Sequence, residues 1–186
     1  MPYIDRLLIA NRGEIVARIA RTARALGIKT VAVASDADRD APHTRACDLA
    51  MPIGGERPAD SYLRIDRLIE AAAISGAQAV HPGYGFLSEN PAFAEAVIGA
   101  GLAWIGPPPD AMRAMADKAE ARKRMADAGV PVLPGCDGDD ASPATLMREA
   151  LRIGFPLMVK AAAGGGGRGM RVVMQADELE AALASA

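Results

Sequence analysis

Gly164-Gly165-Gly166-Gly167-Arg168-Gly169 is the segment of this sequence with the most evident chemical use. Successive residues without a Cβ let backbone N–H groups approach an anion closely, and phosphate is the natural guest. Lys160, at the end of the apolar run from Phe155 to Val159, adds an ammonium that can neutralise a phosphate as a point charge. Two plainer readings stay open at this point: a flexible glycine connection, and a lysine that snorkels to solvent. A Walker P-loop needs Gly-Lys-Ser/Thr running into a helix, whereas Arg168-Gly169 runs into the strand-like Met170 to Met174. The pattern is therefore strand, glycine loop, strand: a flexible flap rather than a helix-end cradle.

The second segment is His81-Pro82-Gly83-Tyr84-Gly85-Phe86-Leu87-Ser88-Glu89-Asn90, which follows the expected strand Gln78-Ala79-Val80. Ligands of open α/β sheets bind beyond the carboxyl ends of the strands, so this loop belongs near a cleft. Histidine, a phenol and a carboxylate among glycines suit a site wall. A rigid turn ending in a helix cap, Ser88 or Asn90, is the alternative reading of the same residues. A third segment, Ala10-Asn11-Arg12-Gly13-Glu14-Ile15, stands at a strand-to-helix turn but carries one glycine where a dinucleotide fingerprint wants three, so NAD binding is unsupported.

The elements that must position these segments follow from periodicity. Leu7 to Ala10 reads as a strand; Ile15, Ile19, Ala23 and Leu26 recur at helical spacing, and Gly27 stands where that helix would end. Lys29 to Ala34 is the next strand. A helix over 65–75, a strand at 78–80, a helix over 91–100 and a strand at 102–105 continue the alternation, which implies a parallel sheet covered on both faces. Gly106-Pro107-Pro108-Pro109 marks the end of this part. Beyond it the pattern predicts a charged helix over 110–128 closed by Gly129-Val130-Pro131, an Asp- and Gly-rich loop from Gly135 to Ser142, and a helix through Arg152. The glycine flap between its two strands comes next, and a last helix from Asp177 ends without a cap, as in a truncated domain.

Composition narrows the class. Charge is nearly balanced at −2 over 186 residues, so no basic field argues for nucleic acid and no polybasic cluster for a membrane surface. No apolar run approaches the roughly 20 residues needed to span a bilayer, and the first residues lack the layout of a secretory signal, which reads as a cytoplasmic protein. Cys47 and Cys136 lack CxxC spacing and suggest neither a disulfide framework nor a zinc site.

Together, Ile9 to Ile15, His81 to Asn90, the pair Asp117-Lys118, Gly129-Val130-Pro131 and Lys160 through Met170 resemble the ordered signature blocks of biotin carboxylases, over nearly the whole chain. The resemblance implies an α/β fold: a Rossmann-like pre-ATP-grasp domain at 1–115, a linker helix at 116–130 and part of an ATP-grasp lid, α+β in character, at 131–186. It implies MgATP (or MnATP) and bicarbonate as substrates and biotin on a carrier protein as acceptor, with a carboxyltransferase subunit as a further partner. Lys118, Lys160 and Gly164, Gly165, Gly166 and Gly167 match positions that contact nucleotide phosphates. His81, Gly83, Tyr84 and Glu89 match a cleft-lining block. The family's metal-binding glutamates, its general base and its biotin-orienting arginine fall beyond residue 186. No catalytic or metal residue is therefore expected in this fragment, and it is expected not to turn over alone. Two departures are Ala163 and Ala116, where the family has glycines. Arg21 matches a homodimer contact, but Ala25 replaces its acidic companion, and an arginine on a solvated helix face is the preferred reading. The Gly138-Asp139-Asp140 loop and the run Lys160 to Gly164 look more like methylcrotonyl- or geranyl-CoA carboxylase α subunits than the acetyl-CoA type. A pyruvate or urea carboxylase fragment, and a non-catalytic nucleotide-binding module, are the other readings.

Overall fold

Three strands open the fold in one direction: β1 (Arg6–Ile9), β2 (Lys29–Ala34) and β3 (Leu49–Pro52), with helix α1 (Glu14–Ala25) between the first two and the short α2 (Pro42–Arg45) before the third. Helix α3 (Ile65–Ser75), β4 (Ala79–His81), α4 (Pro91–Gly99) and β5 (Ala103–Trp104) follow. The computed structural model describes residues 4–116, 118–136, 142–160 and 170–185, with the side chains of 118 and 119 excepted. The chain divides into two compact units, Met1–Ala114 and Met115–Ala186.

In the first unit the five strands lie in the order β3-β2-β1-β4-β5, every pair parallel. Strand residues alternate between faces, and the core splits accordingly. Leu7 and Ile9 pack with Val16, Ala20 and Ala23 of α1. Leu8, Val31, Val33 and Val80 pack on the other face with Leu68 and Ala72 of α3 and Phe93 and Val97 of α4. Helices thus cover both faces, the doubly wound arrangement expected from the alternation of strands and helices.

Local signals set the boundaries. Gly27, at φ +75°, ends α1: its N–H donates to Arg24 O at 3.0 Å and that of Ile28 to Ala23 O at 2.9 Å, the two bonds of a Schellman closure. The buried face of α1 departs from expectation, since Val16 rather than Ile15 or Ile19 is fully buried and Leu26 is 66% exposed. Leu26 is the C-cap, where the chain has already left the helical path that would carry it inward. Residues 35–64, for which the sequence predicted no element, contain α2, two 3-10 turns and β3. Strand β3 is an edge strand with largely exposed residues, aligned by Asp48, whose Oδ2 accepts from Thr30 N at 2.8 Å and Thr30 Oγ1 at 3.0 Å.

Of the charged helix expected over 110–128, the described residues are helical over α5 (Pro109–Ala116) and α6 (Lys118–Asp127), and residue 117 lies outside the described residues. The closure after α6 repeats that of α1, with Gly129 at φ +75° and Val130 N donating to Met125 O at 2.9 Å. In the second unit α7 (Pro143–Ile153), capped by Ser142, precedes an antiparallel pair, β6 (Leu157–Lys160) and β7 (Met170–Val173), and then α8 (Leu179–Ala184). Its small core joins Ala150, Val173, Leu179 and Ala182, with Leu157 and Val159 packed against them.

Candidate functional site

The strand order reverses direction at one place: β1 is followed outward on one side by β2 and β3, and on the other by β4 and β5. At such a switch point the loops leaving the two central strands part and open a crevice at their carboxyl ends. Here those loops begin at Ala10 after β1 and Pro82 after β4, so the sheet brings the segments 10–15 and 81–90 together.

Asn11 joins them. Its side chain is buried, and both Nδ2 hydrogens are used, donating to Pro82 O and Tyr84 O, each at 2.7 Å. Its Oδ1 accepts from Arg12 N at 2.9 Å. Gly83 sits against this carboxamide at φ +68°, and a Cβ there would lie 2.7 Å from Asn11 Nδ2. Only glycine meets both the torsion and the close approach. On the other side of the same turn, Gly83 N donates to His81 Nδ1 at 3.0 Å. Burial pushes the His81 imidazolium below its ordinary pKa, so the ring is neutral near pH 7, with its proton on Nε2 and Nδ1 free to accept.

Tyr84 is 60% exposed, yet its hydroxyl donates to Glu14 Oε1 at 2.7 Å, at the start of α1. The Glu14 carboxylate accepting that bond raises the phenol above its usual pKa. Phe86 holds a left-handed backbone at φ +40°, costly for a residue with a side chain, and stacks on Tyr62 with ring centroids 5.1 Å apart. Tyr62 in turn donates to Asp38 Oδ2 at 2.7 Å, and Arg12 grips the same carboxylate with Nε at 2.6 Å and Nη2 at 2.7 Å. That two-pronged bond from Arg12, assisted by Tyr62, holds Asp38 at about pKa 2.

The sequence-expected residues thus divide. His81, Gly83 and Tyr84 converge on the switch point; Glu89 does not, being exposed without a hydrogen bond or ion pair among the described residues. Of the two cap candidates, Asn90 serves, its Oδ1 accepting from Phe93 N at 3.1 Å. Asn11, Arg12, Asp38 and Tyr62 were not foreseen as a set. A usable signal was present: two polar residues directly after an apolar strand stand where the sheet opens its crevice.

In the second unit Lys160 lies on β6 opposite Met170 of β7, and Met158 opposite Val172. Strand alternation puts these four side chains on one face, away from Leu157, Val159 and Val173 in the core. That face is open: Met170 is 42% exposed, Met158 45% and Val172 59%. Lys118 begins α6 with its side chain outside the described residues, and Gly164 to Gly167 lie outside them altogether. Among the described residues no group of three or more His, Cys, Asp or Glu could hold a metal ion, and no helix is long and apolar enough to cross a membrane.

Residues 3–112 match the family described as biotin carboxylase, N-terminal domain, and residues 117–186 match the ATP-binding domain of the carbamoyl-phosphate synthase L chain. Over 182 residues the chain is 52% identical to a biotin carboxylase of Haemophilus influenzae, covering 97% of this chain and 41% of that one. It is 49% identical over 177 residues to the mitochondrial methylcrotonoyl-CoA carboxylase subunit alpha of Dictyostelium discoideum, covering 95% of this chain and 25% of the other. A crystal structure of a Campylobacter jejuni biotin carboxylase in complex with β,γ-ATP superposes with a TM-score of 0.88 at 48% identity, over 97% of this chain and 40% of that one. The chain therefore spans less than half the length of the relatives it matches.

Proposed function

The chain belongs to the biotin carboxylase N-terminal domain family, and on that premise we propose that it supplies the first domain and part of the nucleotide lid of an ATP-dependent ligase. The reaction assigned to the whole protein is activation of bicarbonate by MgATP, with carboxylation of biotin on a carrier protein. The observation that carries this reading is the open face of the β6–β7 pair, where Lys160 stands among Met158, Met170 and Val172. A flat purine fits an apolar, methionine-rich shelf, and a lysine at its edge fits the phosphates. Gly164 to Gly167 follow on the same chain as donors that would close over the phosphates, and Lys118 is the second phosphate-binding cation in this reading. Fixed cations and N–H donors stabilise charge on a transferring phosphoryl group in a closed site. In this reading the metal is held by residues outside this chain.

His81, Gly83 and Tyr84 form the cleft wall in the first unit, and Glu89 is assigned to its solvent edge. Arg21 is exposed on α1, where a solvated surface arginine is the first reading and a homodimer contact the second. A biotin carboxyl carrier domain and a carboxyltransferase are the partners, in the cytoplasm. The acyl group served is read as methylcrotonyl- or geranyl-CoA. The test is to complete the chain to the length of its relatives and follow ADP release with bicarbonate and free biotin. Release that requires both supports the ligase; ADP release indifferent to biotin contradicts it. Coupling with carboxyltransferase across a panel of acyl-CoAs and pyruvate then decides the acceptor.

A further inference from the structure

Every hydrogen-bonding group of the Asn11 side chain is spent on backbone. Two hydrogens go to the carbonyls of Pro82 and Tyr84, and the oxygen takes the N–H of Arg12. The residue is nearly inaccessible, so it offers nothing to a ligand. What it does is join the turn after β1 to the turn after β4 across the switch point, beside the main-chain bond from Ala10 N to His81 O at 2.9 Å. The carbonyls it holds flank Gly83, whose missing Cβ leaves the room the carboxamide occupies. One residue further along, Tyr84 is fixed again from outside by Glu14. Tyr84 is thus held at both ends, its backbone by Asn11 and its hydroxyl by Glu14, while its ring stays exposed.

We propose that Asn11 is a positioning residue of the cleft wall: acting through the backbone of residues 82–84, it presents the Tyr84 ring at the mouth of the crevice in the unliganded protein. This rests on the ligase reading above. Within that reading, the wall that Asn11 holds is assigned to the co-substrate, bicarbonate or biotin. Preordering such a wall spares the ligand the cost of ordering it, so its loss is read in the KM of the ligand that the wall receives.

The experiment has two readouts on Asn11→Ala. In the protein completed to its relatives' length, the KM for bicarbonate or for biotin rises about tenfold or more, while the KM for MgATP stays within about twofold. In the 186-residue chain, 13C NMR follows Tyr84, one of three tyrosines. Loss of the clamp frees the phenol from Glu14, and its titration moves down toward the value of an ordinary tyrosine. Gly83→Ala pushes the same carboxamide aside from the opposite direction and gives the same pair of changes. If Asn11→Ala does not fold, Gly83→Ala alone decides between the outcomes. A fall in kcat with all three KM values unchanged, or a Tyr84 titration that does not move, overturns the positioning role. If Tyr84 moves in the variants but the completed wild-type protein carboxylates no biotin, the ligase reading falls and the clamp stands.

Discussion

Asn11 and Gly83 are 72 positions apart in sequence, and the space a Cβ would need at Gly83 is filled by the Asn11 carboxamide, only 2.7 Å from where that Cβ would sit. The turns after β1 and β4 are therefore keyed together by one side chain and one missing side chain.

Gly83→Ala adds the clash and also forces alanine to φ +68°. We expect a loss of about 1–3 kcal/mol in the first unit. Denaturant unfolding followed by Trp104, the one tryptophan of the chain, measures it. Gly85→Ala is the control: it is strained in φ, at +64°, but meets nothing within 4 Å, so it costs less.

Asp38 supplies a pH dependence of known sign. Its pKa is about 2 in the folded chain against an ordinary 3.8, held down chiefly by Arg12. The pair's contribution is complete above about pH 4 and is lost as the pH falls through 2. With the Arg12 side chain half exposed, it is worth roughly 1–2 kcal/mol at neutral pH. Asp38→Asn should remove that amount at pH 7 and flatten the acid limb of the stability curve. A variant whose acid unfolding matches the wild type would contradict the assignment.

His81 titrates in a second window. Burial lowers its pKa, so the folded chain prefers the neutral ring, and its contribution is complete above about pH 6.5 and falls as the imidazole takes up a proton. The imidazolium has no lone pair at Nδ1 for the Gly83 N–H. Hydrogen exchange at the Gly83 amide, corrected for intrinsic rates, should accelerate as the pH drops from 7 to 5. The amides of β1 and β2 should keep their protection, and His81→Gln should lose the effect.

Asn90 caps α4 through the N–H of Phe93, which is itself fully buried. Asn90→Ala should cost about 1 kcal/mol, while Ser88→Ala, with no cap to lose, should cost less in the same thermal melt.

Most elements of the first unit were legible because two signals coincide in them. Helices α1 and α3 combine helical periodicity with a terminating glycine, Gly27 and Gly76, and β2 is a β-branched run between turns. Strand β3 was not legible: Leu-Ala-Met-Pro has no alternation, is mostly exposed, and is held from one side only, by β2 and Asp48. The cleft loop could be placed because it follows β4, but the groups that shape it could not. Asn11 reaches Pro82 and Tyr84, and Arg12 reaches Asp38, across 26 to 73 positions that no local spacing records. Lys160 was legible as a lone cation ending an apolar strand; its apolar neighbours Met170 and Val172 emerged only with the register of β6 against β7.

Whether the Lys160 face binds nucleotide is decided by calorimetric titration of MgATP into the protein completed to its relatives' length, with and without Lys160→Ala. Saturable binding is expected in the wild type, with a weakening of about tenfold or more without the ammonium, in keeping with a charge-assisted contact to phosphate. Equal affinity in the two proteins would contradict it and remove the β6–β7 face from the nucleotide site.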